Sequence, residues 1–259
     1  MVEEIIRTKT GIQGLDKALS GGIPQGNVVL VSGGAGTGKS TFCLQFAVNG
    51  ASLFGEKSLY LSTEQNKKEL FRQADGFGWN LADLESKQLL KLVYFDITAG
   101  DSFLEKIHAL VQEFQPKRIV IDSLTTLTDS MLVSDVLDGK GFSMVKVAET
   151  VSPIPRSEKI ISKTLLYHLF KEIKQHGVTT LLTTELPEEL KQLSADGISE
   201  FIADGVVEMQ FLGIGGMDSR SIRIRKMRYS SHEKNYIPYE IRNSGIELNL
   251  EDASGVLMK

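Results

Sequence analysis

A glycine-rich loop at residues 33–40, called the P-loop below, carries the clearest chemical signal in the sequence. Its residues are Gly33, Gly34, Ala35, Gly36, Thr37, Gly38, Lys39 and Ser40, which match the pattern G-x-x-x-x-G-K-[ST]. In such a loop the backbone N–H groups converge on a phosphate, the lysine reaches the β- and γ-phosphates, and the serine hydroxyl ligates Mg²⁺. A glycine-rich turn that binds nothing is the competing interpretation, but the specificity of the pattern favours a site for ATP and Mg²⁺.

Two acidic residues stand where strands are predicted to end. Asp122 closes the apolar run RIVI, where the aspartate of a P-loop ATPase would hold the Mg²⁺ shell through water. An aspartate after a strand otherwise caps a turn. Glu64 follows the run LYLST and could orient and deprotonate the water that attacks the γ-phosphate. Exposed glutamates at strand ends are commonly only solvated, so the residues alone leave both interpretations of Glu64 open.

A basic triplet, Lys226-Met227-Arg228, follows the alternating run SIRIR. Residues two apart in an extended chain share a face, so Lys226 and Arg228 are expected to point the same way. Two cations on one face suit a phosphate clamp or an arginine finger. A solvated basic edge strand, which the triplet alone favours, explains the same pattern.

An α/β fold is expected to position these residues. Strand-like and helix-like segments alternate along the chain, which predicts a mostly parallel central sheet with helices on both faces. The predicted strands are residues 27–32, 58–61, 90–95, 118–121 and 178–184, and the predicted helices are residues 40–49, 67–74, 102–114 and 160–173. From Gly205 onward we expect several short antiparallel strands. We predict one domain over residues 1–259, with an irregular insertion at 128–156.

The composition excludes several classes of function. The chain has 259 residues, of which 41% are hydrophobic and 24% charged, as in ordinary soluble proteins. Its net charge of -4 provides no global positive field for nucleic acid or an anionic membrane. Cys43 has no second cysteine to pair with. The sequence shows neither a signal peptide nor an apolar run long enough to span a bilayer, so we expect a cytoplasmic protein without membrane contact.

Taken together, the motifs resemble the KaiC-like branch of the RecA-type ATPases in a single-domain form. The resemblance extends from about Arg7 to Leu250 and rests on the order and spacing of several runs. These are TGIQGLDKALSGGIPQGNVVLVSGGAGTGKST, YLSTEQ, FGW, RIVIDSL, LLTTE, DGISEFIADGVVEM and KMRYSSH. The resemblance implies a RecA-type fold with C-terminal antiparallel strands. It also implies ATPase activity in a ring-shaped homohexamer with the nucleotide between subunits.

The resemblance also implies roles for individual residues. Residues 36–41, which include Thr41, would bind the triphosphate. Glu64 falls on the first of two adjacent acidic residues, the catalytic base of the family, whereas Gln65 stands at the second and implies slow hydrolysis. Lys226 and Arg228 fall on the lysine and arginine that reach the neighbouring subunit's active site. The other positions assigned to that neighbouring nucleotide are Met227, Ser230 and His232.

The leading interpretation is an ATPase whose nucleotide state changes its shape or its binding of a protein partner. The sequence does not identify that partner. Two other functions stay open. A DNA-handling relative of RecA and RadA would grip DNA with the loops that follow RIVID and LLTTE. Residues 128–160 carry five acidic and four basic side chains, and residues 186–197 carry three and one. Loops that bind phosphate should be net basic, so DNA binding is disfavoured. The other function is a nucleotide-sensing regulator with negligible turnover, which Gln65 keeps open.

Overall fold

A computed structural model describes residues 5–96, 102–128, 158–186, 192–214 and 217–251. Its strands are β1 (Arg7–Thr8), β2 (Ile23–Pro24), β3 (Val28–Gly33), β4 (Ser58–Ser62), β5 (Leu90–Tyr94), β6 (Arg118–Asp122), β7 (Thr179–Glu185), β8 (Gly205–Ile214), β9 (Met217–Met227), β10 (Ile237–Arg242) and β11 (Gly245–Leu248). Its helices are α1 (Leu15–Ala18), α2 (Lys39–Phe54), α3 (Lys67–Asp75), α4 (Leu81–Ser86), α5 (Phe103–Phe114), α6 (Glu158–Gln175) and α7 (Ser199–Ile202). Residues 124–128 are also helical. None of the described helices is long and apolar enough to cross a membrane.

The central sheet, within the described ranges, has nine strands in the order β11-β10-β9-β8-β3-β7-β6-β4-β5. The strands from β8 to β5 pair in parallel, and β9, β10 and β11 pair antiparallel at the other end. Strands β3, β4 and β6 are buried along their whole length. Burial on both faces explains why these strands are continuous apolar runs in the sequence. The predicted α/β class with a mostly parallel sheet is confirmed.

Each face of the sheet packs against its own helices. One core contains Phe42 of α2 and Leu70 of α3, and the other contains Ile107 of α5 and Phe170 of α6. Helices α3 and α5 are among those that begin at residues with capping side chains. The Asn66 side chain accepts a hydrogen bond from the Glu69 N–H and the Glu69 side chain accepts one from the Asn66 N–H, while Ser102 caps α5. These caps satisfy N–H groups that would otherwise lack partners.

The region after Gly205 differs in part from the sequence prediction. The expected antiparallel pairs are present, because β8, β9, β10 and β11 pair antiparallel in sequence order. However, β8 and β9 have 10 and 11 residues and are not short, and β8 also pairs in parallel with β3. A strand's own residues do not reveal its partner, so this parallel pairing was not predicted. The sequence analysis did not predict strands β1 and β2 or helix α4. These elements are too short to show a periodic pattern of hydrophobic residues. Of the predicted insertion at 128–156, all but Thr128 lies outside the described residues.

Candidate nucleotide-binding site

The P-loop connects β3 to α2 at the edge of the sheet where the parallel strands end. Gly38 has a φ of 94°, a left-handed conformation that favours glycine. A Cβ on Gly33 would lie 2.4 Å from the carbonyl oxygen of Met209, so the close approach of β8 also requires glycine there. The spacing of glycines that identifies the motif therefore follows from the path of this loop.

The Lys39 side chain and the start of α2 provide the hydrogen-bond donors of the P-loop. The ammonium of Lys39 donates to the carbonyls of Gly33 at 2.8 Å and Gly34 at 3.0 Å, so the side chain folds back over the loop. Gly38 is the N-cap of α2 and provides no side-chain cap, and the first turn contains no acidic residue. The N–H groups of that turn and the positive end of the helix dipole can therefore bind an anion.

Asp122 is held rigidly at the end of β6. Its side chain is 2% exposed, its Oδ2 accepts a hydrogen bond from the Tyr60 hydroxyl at 2.7 Å, and its Oδ1 accepts one from the Thr183 hydroxyl at 2.6 Å. The thiol of Cys43 lies within the field of both Asp122 and Lys39. Burial raises the pKa of this thiol, Asp122 raises it further, and Lys39 opposes them. The carboxylate of Asp122 and the ammonium of Lys39 therefore both act on the buried thiol of Cys43.

Glu64 follows β4 and is oriented by residues that follow Asp122. Its Oε1 accepts hydrogen bonds from the hydroxyls of Ser123 at 2.5 Å and Thr126 at 2.9 Å. The adjacent Gln65 donates its N–H to the Ser62 hydroxyl at 2.8 Å, and its side-chain oxygen is buried without a hydrogen bond. Glu64 is therefore an exposed carboxylate with a fixed orientation at the same edge of the sheet as the P-loop.

An arginine on β9, which sequence reasoning missed, packs against an aromatic ring that borders the P-loop. The guanidinium of Arg220 lies 5.2 Å from the centre of the Phe211 ring, and that ring lies 3.9 Å from the position of a Cβ on Gly36. The Tyr239 hydroxyl donates to the Thr37 carbonyl. Burial raises the pKa of Tyr239 and the charge of Arg220 opposes that effect. Arg220 is distant from the P-loop in sequence, so only the pairing of β8 with β9 could have revealed it.

Other P-loop positions differ in exposure. Ala35 and Gly36 are exposed, and Ser40 is half-buried at the start of α2.

Thr41, the residue that follows the P-loop, contacts helix α3. Its hydroxyl accepts a hydrogen bond from the side-chain amide of Gln73 at 3.0 Å, and the amide oxygen of Gln73 is buried without a partner. Helix α3 therefore supports the P-loop through a polar contact that no sequence motif indicated.

Lys226 and Arg228 lie at the opposite edge of the sheet. The register pairs Val29 of β3 with Gly205 and Gly205 with Met227, so the triplet lies level with the start of β3. Strand β3 has six residues from Val28 to Gly33, and its five residue-to-residue steps correspond to about 17 Å. Both cations donate to the carbonyl of Phe201, at 3.2 and 3.3 Å, so they do lie on one side of the strand. Neither is directed toward the P-loop of the same chain.

The remaining residues predicted to contact a neighbouring nucleotide belong to this same edge. The Ser230 hydroxyl accepts a hydrogen bond from Arg7 at 2.8 Å, and His232 Nδ1 contacts the Glu233 carbonyl at 2.9 Å. Met227 is 6% exposed and packs against Gly205. The side chain of Met227 is therefore part of the core, and only its backbone could face a nucleotide.

The parallel sheet, the P-loop at its carboxyl edge, Asp122 and Glu64 define a P-loop ATPase of the RecA type. Comparison with known families agrees with this class. A family model described as "ATPase: KaiC" matches residues 8–139 and 143–253. The chain belongs to the KaiC family of ATPases, which confirms the resemblance inferred from the motifs.

Individual relatives have the same pattern of similarity. The circadian clock oscillator protein KaiC of Thermostichus vulcanus is 31% identical over 257 residues, covering 95% of this chain and 44% of the relative. KaiC of Synechococcus elongatus is 30% identical, with coverage of 95% and 44%. The chain therefore spans less than half the length of these curated relatives. A crystal structure of a KaiC-like protein from Pyrococcus horikoshii OT3 matches with a TM-score of 0.77 and 33% identity, covering 95% of this chain and 100% of that one.

Proposed function

We propose that the chain binds Mg-ATP in its P-loop and hydrolyses it at the boundary between neighbouring subunits of a ring of six copies. The observation that carries this proposal is the position of Lys226 and Arg228 at the edge of the sheet opposite their own P-loop. Each subunit thus has a phosphate-binding edge and a cationic edge. Head-to-tail contact between copies joins the two edges and generates a ring when the rotation closes.

The cationic edge also has the surface of an interface. Phe201, whose carbonyl accepts from both cations, is 70% exposed, and Tyr229, which follows Arg228, is 72% exposed. Aromatic residues and arginine are enriched in protein interfaces. An arginine supplied by a neighbouring subunit is a recurrent part of P-loop chemistry because it stabilises charge that develops in the transition state.

The donor atoms of the site fit Mg²⁺ that is brought in with the nucleotide. Ser40 would ligate the ion and Asp122 would hold its water shell, while Lys39 binds the β- and γ-phosphates. The described residues contain no group of three or more His, Cys, Asp or Glu side chains that could hold a metal. Mg²⁺ is ordinarily bound by one or two protein oxygens together with substrate phosphates and water. Arg220 adds a second cation from the same subunit.

Glu64 is the general base of this proposal. Its Oε1 accepts from two hydroxyls, which leaves Oε2 to orient the attacking water and accept its proton. Gln65 offers a neutral amide where the family resemblance places a second carboxylate, so hydrolysis is slow. The nucleotide state would then act through conformation or the binding of a protein partner, in a single cytoplasmic domain. A nucleotide sensor with negligible turnover is the alternative that Gln65 keeps open.

Mixing two inactive variants tests the proposal. Glu64→Gln should bind ATP but lose about 10²–10⁴-fold in turnover, and Arg228→Ala should lose about 10³–10⁵-fold. After subunit exchange at equal amounts, about a quarter of the head-to-tail interfaces would join an intact Glu64 to an intact Arg228. The mixture should therefore hydrolyse ATP far faster than either variant. Arg223→Ala is the matched control, because Arg223 lies on β9 and contacts the Lys234 carbonyl and the Tyr236 hydroxyl.

The outcomes separate the alternatives. Wild-type turnover by Arg228→Ala would refute the trans-acting arginine. A mixture no more active than its components, with exchange verified by differently labelled subunits, would place Glu64 and Arg228 in the same subunit's site. Negligible turnover by the wild-type protein, with ATP bound, would support the nucleotide-sensing regulator.

A further inference from the structure

Asp204 connects Arg228 to the core of its own subunit. Its Oδ1 accepts hydrogen bonds from Arg228 at 2.9 Å and Lys174 at 2.8 Å, and its Oδ2 accepts one from the N–H of Val28 at 3.1 Å. The backbone N–H of Asp204 donates to the Val28 carbonyl, and the Asp204 carbonyl accepts from the Arg228 N–H, both at 2.8 Å. Asp204 therefore joins Arg228 to the first residue of β3, the strand that leads into the P-loop.

The pair of Asp204 and Arg228 is buried on one side only. The side chain of Asp204 is 10% exposed and that of Arg228 is 42% exposed. Burial raises the pKa of Asp204, but hydrogen bonds from Lys174, the Val28 N–H and Arg228 outweigh it and hold the pKa below the ordinary value of 3.8. The carboxylate is therefore ionised at neutral pH, and it holds the inner side of the guanidinium with a charge-assisted hydrogen bond.

Arg228 and Lys226 differ in how many of their N–H donors remain available for a phosphate. The guanidinium has five N–H donors, and its described contacts use one on Asp204 and one on the Phe201 carbonyl at 3.3 Å. The ammonium of Lys226 contacts three carbonyls, those of Ala203 at 2.6 Å, Glu200 at 3.1 Å and Phe201 at 3.2 Å. Lys226 must therefore release a carbonyl before it can bind a phosphate, whereas Arg228 can bind one while it keeps Asp204.

We propose that Asp204 is a positioning residue that fixes the guanidinium of Arg228 for the active site of the neighbouring subunit. This inference rests on the function proposed above. An arginine side chain without such a partner samples many rotamers, and ordering it costs conformational entropy. A misplacement of about 1 Å in a catalytic group can cost about 10²-fold in rate. Asp204 therefore acts on turnover through Arg228.

The test replaces Asp204 by asparagine, which keeps the size of the side chain and an acceptor for the Val28 N–H but removes the charge. We expect kcat to fall about 10²-fold, with the KM for ATP little changed because the P-loop lies at the other edge. Lys174→Met is the matched control, since Lys174 is the other cation on the same oxygen. It should lower stability but leave kcat close to that of the wild-type protein.

Subunit mixing assigns the defect to one side of the interface. Asp204→Asn should regain activity when mixed with Glu64→Gln, whose subunits supply a positioned Arg228. It should stay inactive when mixed with Arg228→Ala, because Asp204→Asn and Arg228→Ala both lack a positioned arginine at the cationic edge. The double variant Asp204→Asn/Arg228→Ala should be no slower than Arg228→Ala alone. A merely structural role for Asp204 would produce none of these patterns. If Asp204→Asn folds poorly, Asp204→Glu retains the charge but displaces the guanidinium, and its kcat should also fall.

Several results would overturn the inference. These are wild-type kcat in folded Asp204→Asn, an equal loss of kcat in Lys174→Met, and rescue of Asp204→Asn by Arg228→Ala subunits. Failure of the proposed function has a different signature, which is wild-type turnover by Arg228→Ala itself. Inactive Arg228→Ala together with fully active Asp204→Asn would overturn only the positioning role.

Discussion

Gly50 lies in the interior of α2 against Arg118, and we expect Gly50→Ala to destabilise the protein although alanine is the better helix former. A Cβ at position 50 would lie 2.4 Å from Cδ and Nε of Arg118 and 2.8 Å from the hydroxyl of Ser58. Carbon atoms do not tolerate such distances, so Arg118 would have to move.

Arg118 has little freedom to move. It is fully buried, its Nε donates to Glu56 at 2.7 Å, and its NH1 donates to the Phe46 carbonyl at 3.2 Å. The guanidinium lies over the rings of Phe46 and Phe54, at 4.7 and 5.1 Å from their centres. Because α2 begins at Lys39 and Arg118 begins the strand that ends at Asp122, this contact also aligns two parts of the candidate site.

The expected magnitude follows from two opposing effects. Replacing an interior helical glycine by alanine gains about 1 kcal/mol. Breaking a buried ion pair costs about 3–5 kcal/mol, and the 36% exposure of Glu56 puts this pair at the lower end of that range. The net loss is about 2 kcal/mol, which lowers the Tm of a chain of this size by about 4–8 °C.

Thermal unfolding followed by circular dichroism measures this loss. Ser52→Ala is the control on the same helix, because Ser52 is exposed and its hydroxyl donates to the Val48 carbonyl at 2.8 Å; its effect should stay within about 0.5 kcal/mol. In an Arg118→Met background the penalty of Gly50→Ala should disappear. A Tm of Gly50→Ala equal to or above that of the wild-type protein would refute the reasoning.

Two further predictions concern the P-loop and the cationic edge. Lys39→Ala should abolish Mg-ATP binding in calorimetry while native circular dichroism is retained, because its ammonium contacts only loop carbonyls in the described structure; wild-type affinity in the folded variant would contradict a phosphate-binding role. The pKa of Asp204 is lower in the folded protein than in the unfolded chain. The ionised carboxylate therefore contributes its full share of the unfolding free energy above the unfolded pKa of about 4. This contribution disappears as the pH falls through the pKa of the folded protein. The difference in unfolding free energy between wild type and Asp204→Asn should therefore be constant at about pH 6–8 and shrink below about pH 4, whereas an undiminished difference in acid would contradict this.

The sequence located those candidate residues that lie at or near the end of a buried strand. The P-loop begins at the last residue of β3, Asp122 is the last residue of β6, and Glu64 lies two residues after β4. Each of these strands has an apolar centre because both of its faces are covered. The carboxyl ends of parallel strands lie at one edge of the sheet, so identifying the runs also placed these three features together. Their hydroxyl partners, such as Tyr60 and Thr183 on Asp122, lie within the quoted runs YLSTEQ and LLTTE, but their contact with Asp122 became visible only with the register of the strands.

Residues on the antiparallel strands could not be assigned in this way, because their position depends on the direction of the strand as well as on its sequence. Strand β9 runs from the P-loop edge to the cationic edge. Arg220 near its start and Lys226 near its end therefore lie at opposite edges, although only five residues separate them in sequence. The single basic run RSIRIRKMR in the sequence therefore contains two groups of cations with different neighbours. On the function proposed above, Arg220 serves the site of its own subunit and Arg228 serves that of the next, and the length of one strand separates the two roles.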